Sequence, residues 1–251
     1  MRMADKVVVV TGACSGIGLS TTRLLAAEGA RVMAADIKEA SDALSELARS
    51  SQKVRFFRAD VSKASEVEAL IEETLAEFGR LDVFVNNAGI DLPKKVTDTT
   101  ATDWDRLMAV NLKSVFLCSR AAIPVMRSQG GGVIVNVASE LGVVGGSEIA
   151  AYSATKGGVV QLTRAMALDH APEAIRVNCV CPGPVETALL ESIISGSSDA
   201  ARERQTIVQK TLLKRLARPD EIAHVILFLA SDDSSYMTGS IVVADGGSTA
   251  R

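Results

Sequence analysis

Seven short apolar runs alternate with longer helical patterns along nearly the whole chain. The runs are "KVVVVT" (6–11), "ARVMAAD" (30–36), "KVRFFRAD" (53–60), "LDVFVNN" (81–87), "GVIVNVAS" (132–139), "IRVNCVCP" (175–182) and "SIVVADG" (240–246). They are rich in β-branched residues and almost continuous in apolar character, as strands covered on both faces of a parallel sheet must be. Between them the spacing predicts helices near 16–28, 39–49, 63–78, 102–128, 151–170 and 219–231. Gly29 and Gly79 stand just past two of these helices, where a left-handed cap is cheap for glycine. Pro219, followed by Asp220 and Glu221, marks the start of another, because proline suits the first helical position and acids suit the helix dipole there. The pattern predicts an α/β fold, a Rossmann-type doubly wound, seven-stranded parallel sheet with helices on both faces.

With 251 residues and no Pro/Ser-rich linker or long-period repeat, the expectation is one domain over 1–251. The segment 182–218, with "SGSSD" in its middle, reads as an irregular connection. Long connections in compact domains are usually functional, so a substrate lid is expected at about 188–217. Charges of 27 Lys+Arg against 30 Asp+Glu are dispersed, which argues against a nucleic-acid groove or a polybasic membrane surface. The longest apolar stretch, 222–230, is far short of the ~20 residues a bilayer requires. "MRMADK" runs straight into "VVVV", so no signal peptide is expected and a cytoplasmic protein is the default. Cys14 and Cys118 are isolated, and Cys179 and Cys181 share one face of a strand. With only His170 and His224 beside them, no metal site is expected and core thiols are the plainer reading.

After the first strand comes "TGACSGIG" (11–18), in which Gly12, Gly16 and Gly18 open a helix. Such a turn lets backbone N–H groups approach a pyrophosphate at the positive end of the helix dipole. A merely flexible turn has the same glycines, but here a strand precedes, a helix follows, and Asp36 ends the second strand 24 positions after Gly12. A carboxylate at that interval reaches the adenosine ribose hydroxyls. A 2′-phosphate there would meet a like charge, and Lys38 is the only base expected nearby, so NAD is favoured over NADP.

The chain resembles the short-chain dehydrogenase/reductase family in its compact form, over essentially its full length. The stretches that carry the resemblance are "TGACSGIG", Asp60-Val61, "NNAG" (86–89), Asn111, Ser139, "YSATK" (152–156), Pro182-Gly183 with Thr187, and "TG" and "DGG" within 238–247. It implies that Ser15, Ile17, Asn87, Ala88, Gly89, Val185 and Thr187 join the glycines, Asp36, Asp60, Val61, Pro182 and Gly183 in holding the cofactor. Asp60 would bond the adenine amino group, though it could equally cap a helix. Asn86 and Asn87 read as braces of the sheet as well.

Tyr152 and Lys156 are four apart at the start of a helix and so project from one face. A tyrosine with its reference pKa near ~10 is a poor base at neutral pH, and an ammonium one turn away together with a positively charged nicotinamide is expected to favour its phenolate. The resemblance implies that Tyr152 moves the substrate proton and that Lys156 also donates to the nicotinamide ribose. Ser139, 13 residues before Tyr152, would hold the reacting oxygen, and Asn111 would hold a water in a proton relay. Asn111 sits mid-helix, where asparagine is mildly unfavourable. Two departures stand out. Glu140 follows the serine where a small or apolar residue is expected, and reads as facing solvent. Cys14 replaces the more usual Ala, Ser or Gly of the phosphate loop.

These readings predict an NAD(H)-dependent oxidoreductase interconverting a secondary alcohol and a ketone. A 3-oxoacyl-[acyl-carrier-protein] reductase is the alternative, opposed by Asp36, although Lys210, Lys214, Arg215 and Arg218 keep it open. A silent nucleotide-binding scaffold should have lost a member of the Asn111–Ser139–Tyr152–Lys156 set. A nucleotide-sugar epimerase or dehydratase should carry a longer C-terminal substrate domain. The expected pocket walls are Ile90, Asp91, Leu92, Leu141, Gly145, Gly146, Ile149 and Val185, with the lid. They are mostly apolar and hold no Lys or Arg, and Asp91, Glu140 or Glu148 could accept from a polyol. A neutral small-to-medium substrate is expected, a sugar-type polyol or cyclic alcohol ahead of a fatty acyl chain. Family members of this size commonly form homotetramers through the helices near 102–128 and 151–170 and the final strand.

Overall fold

The computed structural model describes residues 1–51 and 53–250. In chain order the elements are β1 (Val7–Thr11), α1 (Gly16–Ala27), β2 (Arg31–Asp36), α2 (Asp42–Ser50), β3 (Val54–Arg58), α3 (Ala64–Phe78) and β4 (Val83–Asn86). Then follow α4 (Ala101–Met108), a π-helical turn (Ala109–Lys113), α5 (Ser114–Ser128), β5 (Gly132–Val137) and α6 (Ala150–His170). The last third holds β6 (Ile175–Pro182), α7 (Ala188–Gly196), α8 (Ala200–Lys210), α9 (Pro219–Ala230) and β7 (Ile241–Ala244). All seven expected strands form, in the order β3-β2-β1-β4-β5-β6-β7, and every pairing is parallel.

Alternation along β1 sorts the core into two layers. Val8 and Val10 pack with Leu25 of α1, Leu44 of α2 and Ile222 and Ile226 of α9. Val7 and Val9 face the other way, onto Leu70 of α3, Leu117 and Met126 of α5 and Met166 of α6. A strand whose every residue is buried needs this two-sided cover. Gly79 caps α3 at φ +77, and Pro219, Asp220 and Glu221 occupy the first turn of α9, as the sequence indicates.

Two expectations need correction. The 182–218 segment is not irregular. Most of it is helical, with Thr187 capping α7 through Leu190 N–H and Asp199 capping α8 through Arg202 N–H. The capping residues were present in the sequence, but the serine-rich bend between the helices masked the short periodic stretches. The apolar stretch 222–230 is also not the longest candidate. The helical run Ala101–Ser128 is long and apolar enough, by length and composition, to cross a membrane. Its apolar face instead covers Phe84 and Ile134 of the sheet.

Strand order reverses between β1 and β4, so the loops leaving these two strands diverge and open a crevice. The crevice is closed at its floor by hydrogen bonds. Asn87 Nδ2 donates to the carbonyls of Thr11 (2.9 Å) and Gly12 (3.2 Å), and Thr11 Oγ1 accepts from the N–H groups of Asn87 and Ala88. Asn86 bonds Asn136, which bonds Thr163. Both asparagines therefore brace the sheet, as expected.

Candidate active site

The glycine turn lies at one mouth of the crevice. Gly12 (φ +67) and Gly16 (φ +52) hold left-handed conformations, and a Cβ on Gly12 would stand 2.9 Å from Ala88 Cα. A Cβ on Gly18 would collide with the Gly12 carbonyl oxygen, so α1 can start hard against the turn only with glycine there. Ser15 makes no side-chain cap, which leaves the first N–H groups of α1 to an anion. Thr187 faces the same turn, with its Cγ2 3.0 Å from where a Gly16 Cβ would sit. Asp36 ends β2 with its carboxylate fixed by the N–H groups of Cys14 (3.0 Å) and Lys38 (3.1 Å). Lys38 is not the only base there. Arg58, opposite Asp36 in the β2–β3 register, bonds the Ile37 carbonyl and pairs with Glu39. Sequence distance hid this neighbour, which only strand pairing brings alongside.

Asp60 orders the turn before α3 by accepting from the N–H and hydroxyl of Ser62, and Val61 is buried. Pro182 ends β6, while Val185 is buried and paired with Ala217. Those positions thus lie on loops at the same ends of the strands as the glycine turn.

The four residues expected to carry the reaction converge at the far side of the crevice. Lys156 is buried, its Nζ donates to the Val137 carbonyl at 3.0 Å, and it lies 5.7 Å from the centre of the Tyr152 ring. Ser139 stands just beyond β5, where its Oγ accepts from Leu141 N–H (3.1 Å) and its side chain hydrogen-bonds Tyr152. Asn111 sits in the π-helical turn between α4 and α5. Its Oδ1 accepts from Ile90 N–H (2.8 Å), and its Nδ2 donates to the Ile90 carbonyl (2.8 Å) and to Thr155 Oγ1 (3.3 Å). A π turn widens the helix by one residue and so re-aims a side chain, a device found mostly at functional sites. Gly89 closes the group, since a Cβ there would stand 3.4 Å from Asn111 Oδ1 and 3.5 Å from Lys156 Nζ.

Burial decides the electrostatics. It pulls Lys156 down to about 8, against the opposing pull of Cys179, Asp91 and Cys181. It pushes Tyr152 above the ordinary tyrosine range, helped by the charge of Asp91 and opposed by Ser139. Without the positive nicotinamide, on which the expected lowering also relied, desolvation of the phenolate sets the direction. Burial also raises Asp91, whose Oδ1 accepts from Leu92 N–H. Glu148, the less secure of the expected polyol acceptors, is exposed and pairs with Lys95. Thr11, Val137 and Thr155 hold functional side chains in place, yet nothing in their spacing singles them out.

A family model described as enoyl-(acyl carrier protein) reductase matches residues 12–249. Cyclopentanol dehydrogenase of Comamonas sp. is 44% identical over 252 residues, covering 100% of this chain and 99% of that one. The chain belongs to the short-chain dehydrogenase/reductase family. Cis-4-hydroxycyclohexanecarboxylate dehydrogenase of Sinomonas cyclohexanicum is 43% identical, with 98% of each chain covered. A 3-oxoacyl-[acyl-carrier-protein] reductase of Thermotoga maritima is 41% identical, over 98% of this chain and 99% of that one. The solved structure of levodione reductase superposes with a TM-score of 0.94 at 37% identity, covering 99% of both chains. This short-chain dehydrogenase/reductase is an oxidoreductase acting on CH–OH groups with a nicotinamide cofactor. Its glycine cradle, which any added Cβ would fill, and the uncapped start of α1 fit the cofactor's pyrophosphate.

Proposed function

We propose that this short-chain dehydrogenase/reductase interconverts a neutral secondary alcohol and its ketone with NAD(H), Tyr152 carrying the substrate proton. The observation that carries the reading is the gathering of Ser139, Tyr152, Lys156 and Asn111 at the strand ends beside the cradle. When bound, the nicotinamide supplies the hydride acceptor for the alcohol or the donor for the ketone. Tyr152 takes the hydroxyl proton in oxidation and returns it in reduction. Ser139 donates to the reacting oxygen and holds it in line. Lys156, anchored on Val137, is placed to serve the ribose and Tyr152 together. Asn111 fixes the Ile90 backbone, which leaves the loop after β4 rigid at the pocket edge and supports its role in a water relay. Asp36 supports NAD over NADP.

For the substrate, a small cyclic alcohol or sugar-type polyol is favoured. The half-buried carboxyl of Asp91 beside Tyr152 supports a neutral substrate and a hydrogen-bond donor on it. The likeness to cyclopentanol dehydrogenase supports a compact ring. The acyl-carrier-protein reductase relative favours the second reading, and cofactor choice separates the two. We further propose a homotetramer, supported by exposed Trp104 and Phe116 on α4 and α5, Leu168 on α6 and Val243 on β7, and a cytoplasmic location.

The test is an NAD⁺-reduction screen over cyclic and linear secondary alcohols, sugars and hydroxy acids, with Tyr152→Phe beside the wild type. Turnover should collapse in the variant while NADH still binds. Retention of more than about a tenth of the rate would sink the acid/base assignment. An anionic hydroxy acid as the only strong substrate would overturn the neutral class.

A further inference from the structure

Glu140 does not face solvent freely. Its Oε2 is sealed from water and has no hydrogen-bond partner. A Cβ on Gly183 would lie 2.9 Å from that oxygen and 2.7 Å from Asp245 Cα, so the backbone opposite the carboxyl tolerates only glycine. Ser248, from the turn after β7, hydrogen-bonds the carboxyl. The Asp245 carboxylate is itself tied back to Gly247 and Thr249 N–H. The side chain next to Ser139 therefore fills the space where the ends of β5, β6 and β7 meet.

We propose that Glu140 is a positioning residue for the reaction: its carboxyl, wedged between Gly183 and Ser248, holds the Ser139 turn in register with the 182–183 segment and passes its own charge state to Tyr152. The proposal rests on the reading of Ser139 and Tyr152 as the reacting groups. An unpartnered carboxylate oxygen shut away from water is costly, so the wedge is best filled by the neutral acid. Burial, with the like charge of Asp245, pushes Glu140 up to about 7, against the pull of Ser248 and of Lys210 at the end of α8. Once ionised, Glu140 raises Tyr152 further, as Asp91 does. Alcohol oxidation, which needs Tyr152 as a base, is then held back above neutrality, and ketone reduction is favoured.

The experiment compares wild type, Glu140→Gln and Glu140→Ala. A carboxyl raised on folding stabilises fully below its ordinary value of 4.5, and that contribution is lost as the pH rises through about 7. Glutamine keeps the shape of the neutral acid and does not titrate. The Tm of the wild type should therefore fall relative to Glu140→Gln as the pH is raised from 4.5 through about 7, and a difference flat over that range overturns the proposal. In alcohol oxidation the rising limb of the pH profile should move to lower pH by about half a unit or more in Glu140→Gln, with the KM for NAD⁺ within about twofold of wild type. Superimposable limbs overturn it. Glu140→Ala, which empties the wedge, should lose about tenfold more turnover than Glu140→Gln, and equal losses would contradict the wedge. The thermal comparison needs no turnover, so it judges Glu140 even if Tyr152→Phe were to sink the acid/base assignment.

Discussion

Two backbone N–H groups grip the Asp36 carboxylate, so its charge cannot swing away when a cofactor enters. A 2′-phosphate brought against it loses more than about 1.4 kcal/mol when partly desolvated, which is tenfold in binding. NAD(H) should thus be at least about tenfold better than NADP(H) in kcat/KM, and Asp36→Ala should narrow the gap. Arg58 sets a bound on this, because its pairing with Glu39 leaves it less able to rescue a phosphate. Equal efficiency with both cofactors in the wild type would end the claim. The spacing of Tyr152 from Lys156 was legible as i, i+4, but the depth of burial was not, and burial set the direction in which the tyrosine's proton affinity moved.

The π turn carries Asn111 to the edge of the candidate site. An asparagine breaking the pattern of "VNLKSVF" was visible, whereas the extra residue per turn was not, since it is stabilised by Ile90 across the crevice. Asn111→Ala leaves the N–H and C=O of Ile90 unpartnered, and each lost partner costs about 1–3 kcal/mol in a buried setting. Ile90 is half-buried, so a Tm drop of about 2–4 °C per kcal/mol at the low end of that range is expected, together with a large fall in turnover. An unchanged Tm would show that the π turn stands without its anchor. The two helices of the expected lid, α7 and α8, pack far more loosely. Helix α8 buries no residue and α7 buries only Ile194, while an Arg204–Glu191 pair links the two at the surface. Exposed ion pairs contribute little, so these helices should open locally. Hydrogen exchange across 188–210 should be fast in the free protein and slow with NAD⁺ and substrate, and a pattern indifferent to both would remove the lid role.

Unpaired apolar surface points outward on the helices and strand expected to join subunits. Leu168, 79% exposed on α6, is the clearest case. Light scattering at micromolar concentration should report a tetramer, and Leu168→Glu should shift it towards smaller species. A wild-type monomer would refute the assembly.

Strand number, sheet direction and the glycine cradle were already determined by the linear pattern, because each depends on residues close in sequence: β-branched runs, a glycine triplet and the acid ending the second run. The same holds for the pairing of Tyr152 with Lys156 on one helix face. Tertiary structure alone decided what lies beside what across strands. It set Arg58 next to Asp36, seated Lys156 on the Val137 carbonyl, and shut Glu140 against Gly183 and the 245–248 turn. The physical reason is that desolvation and cross-strand contact depend on groups far apart in the chain, which share a register only once the sheet has formed.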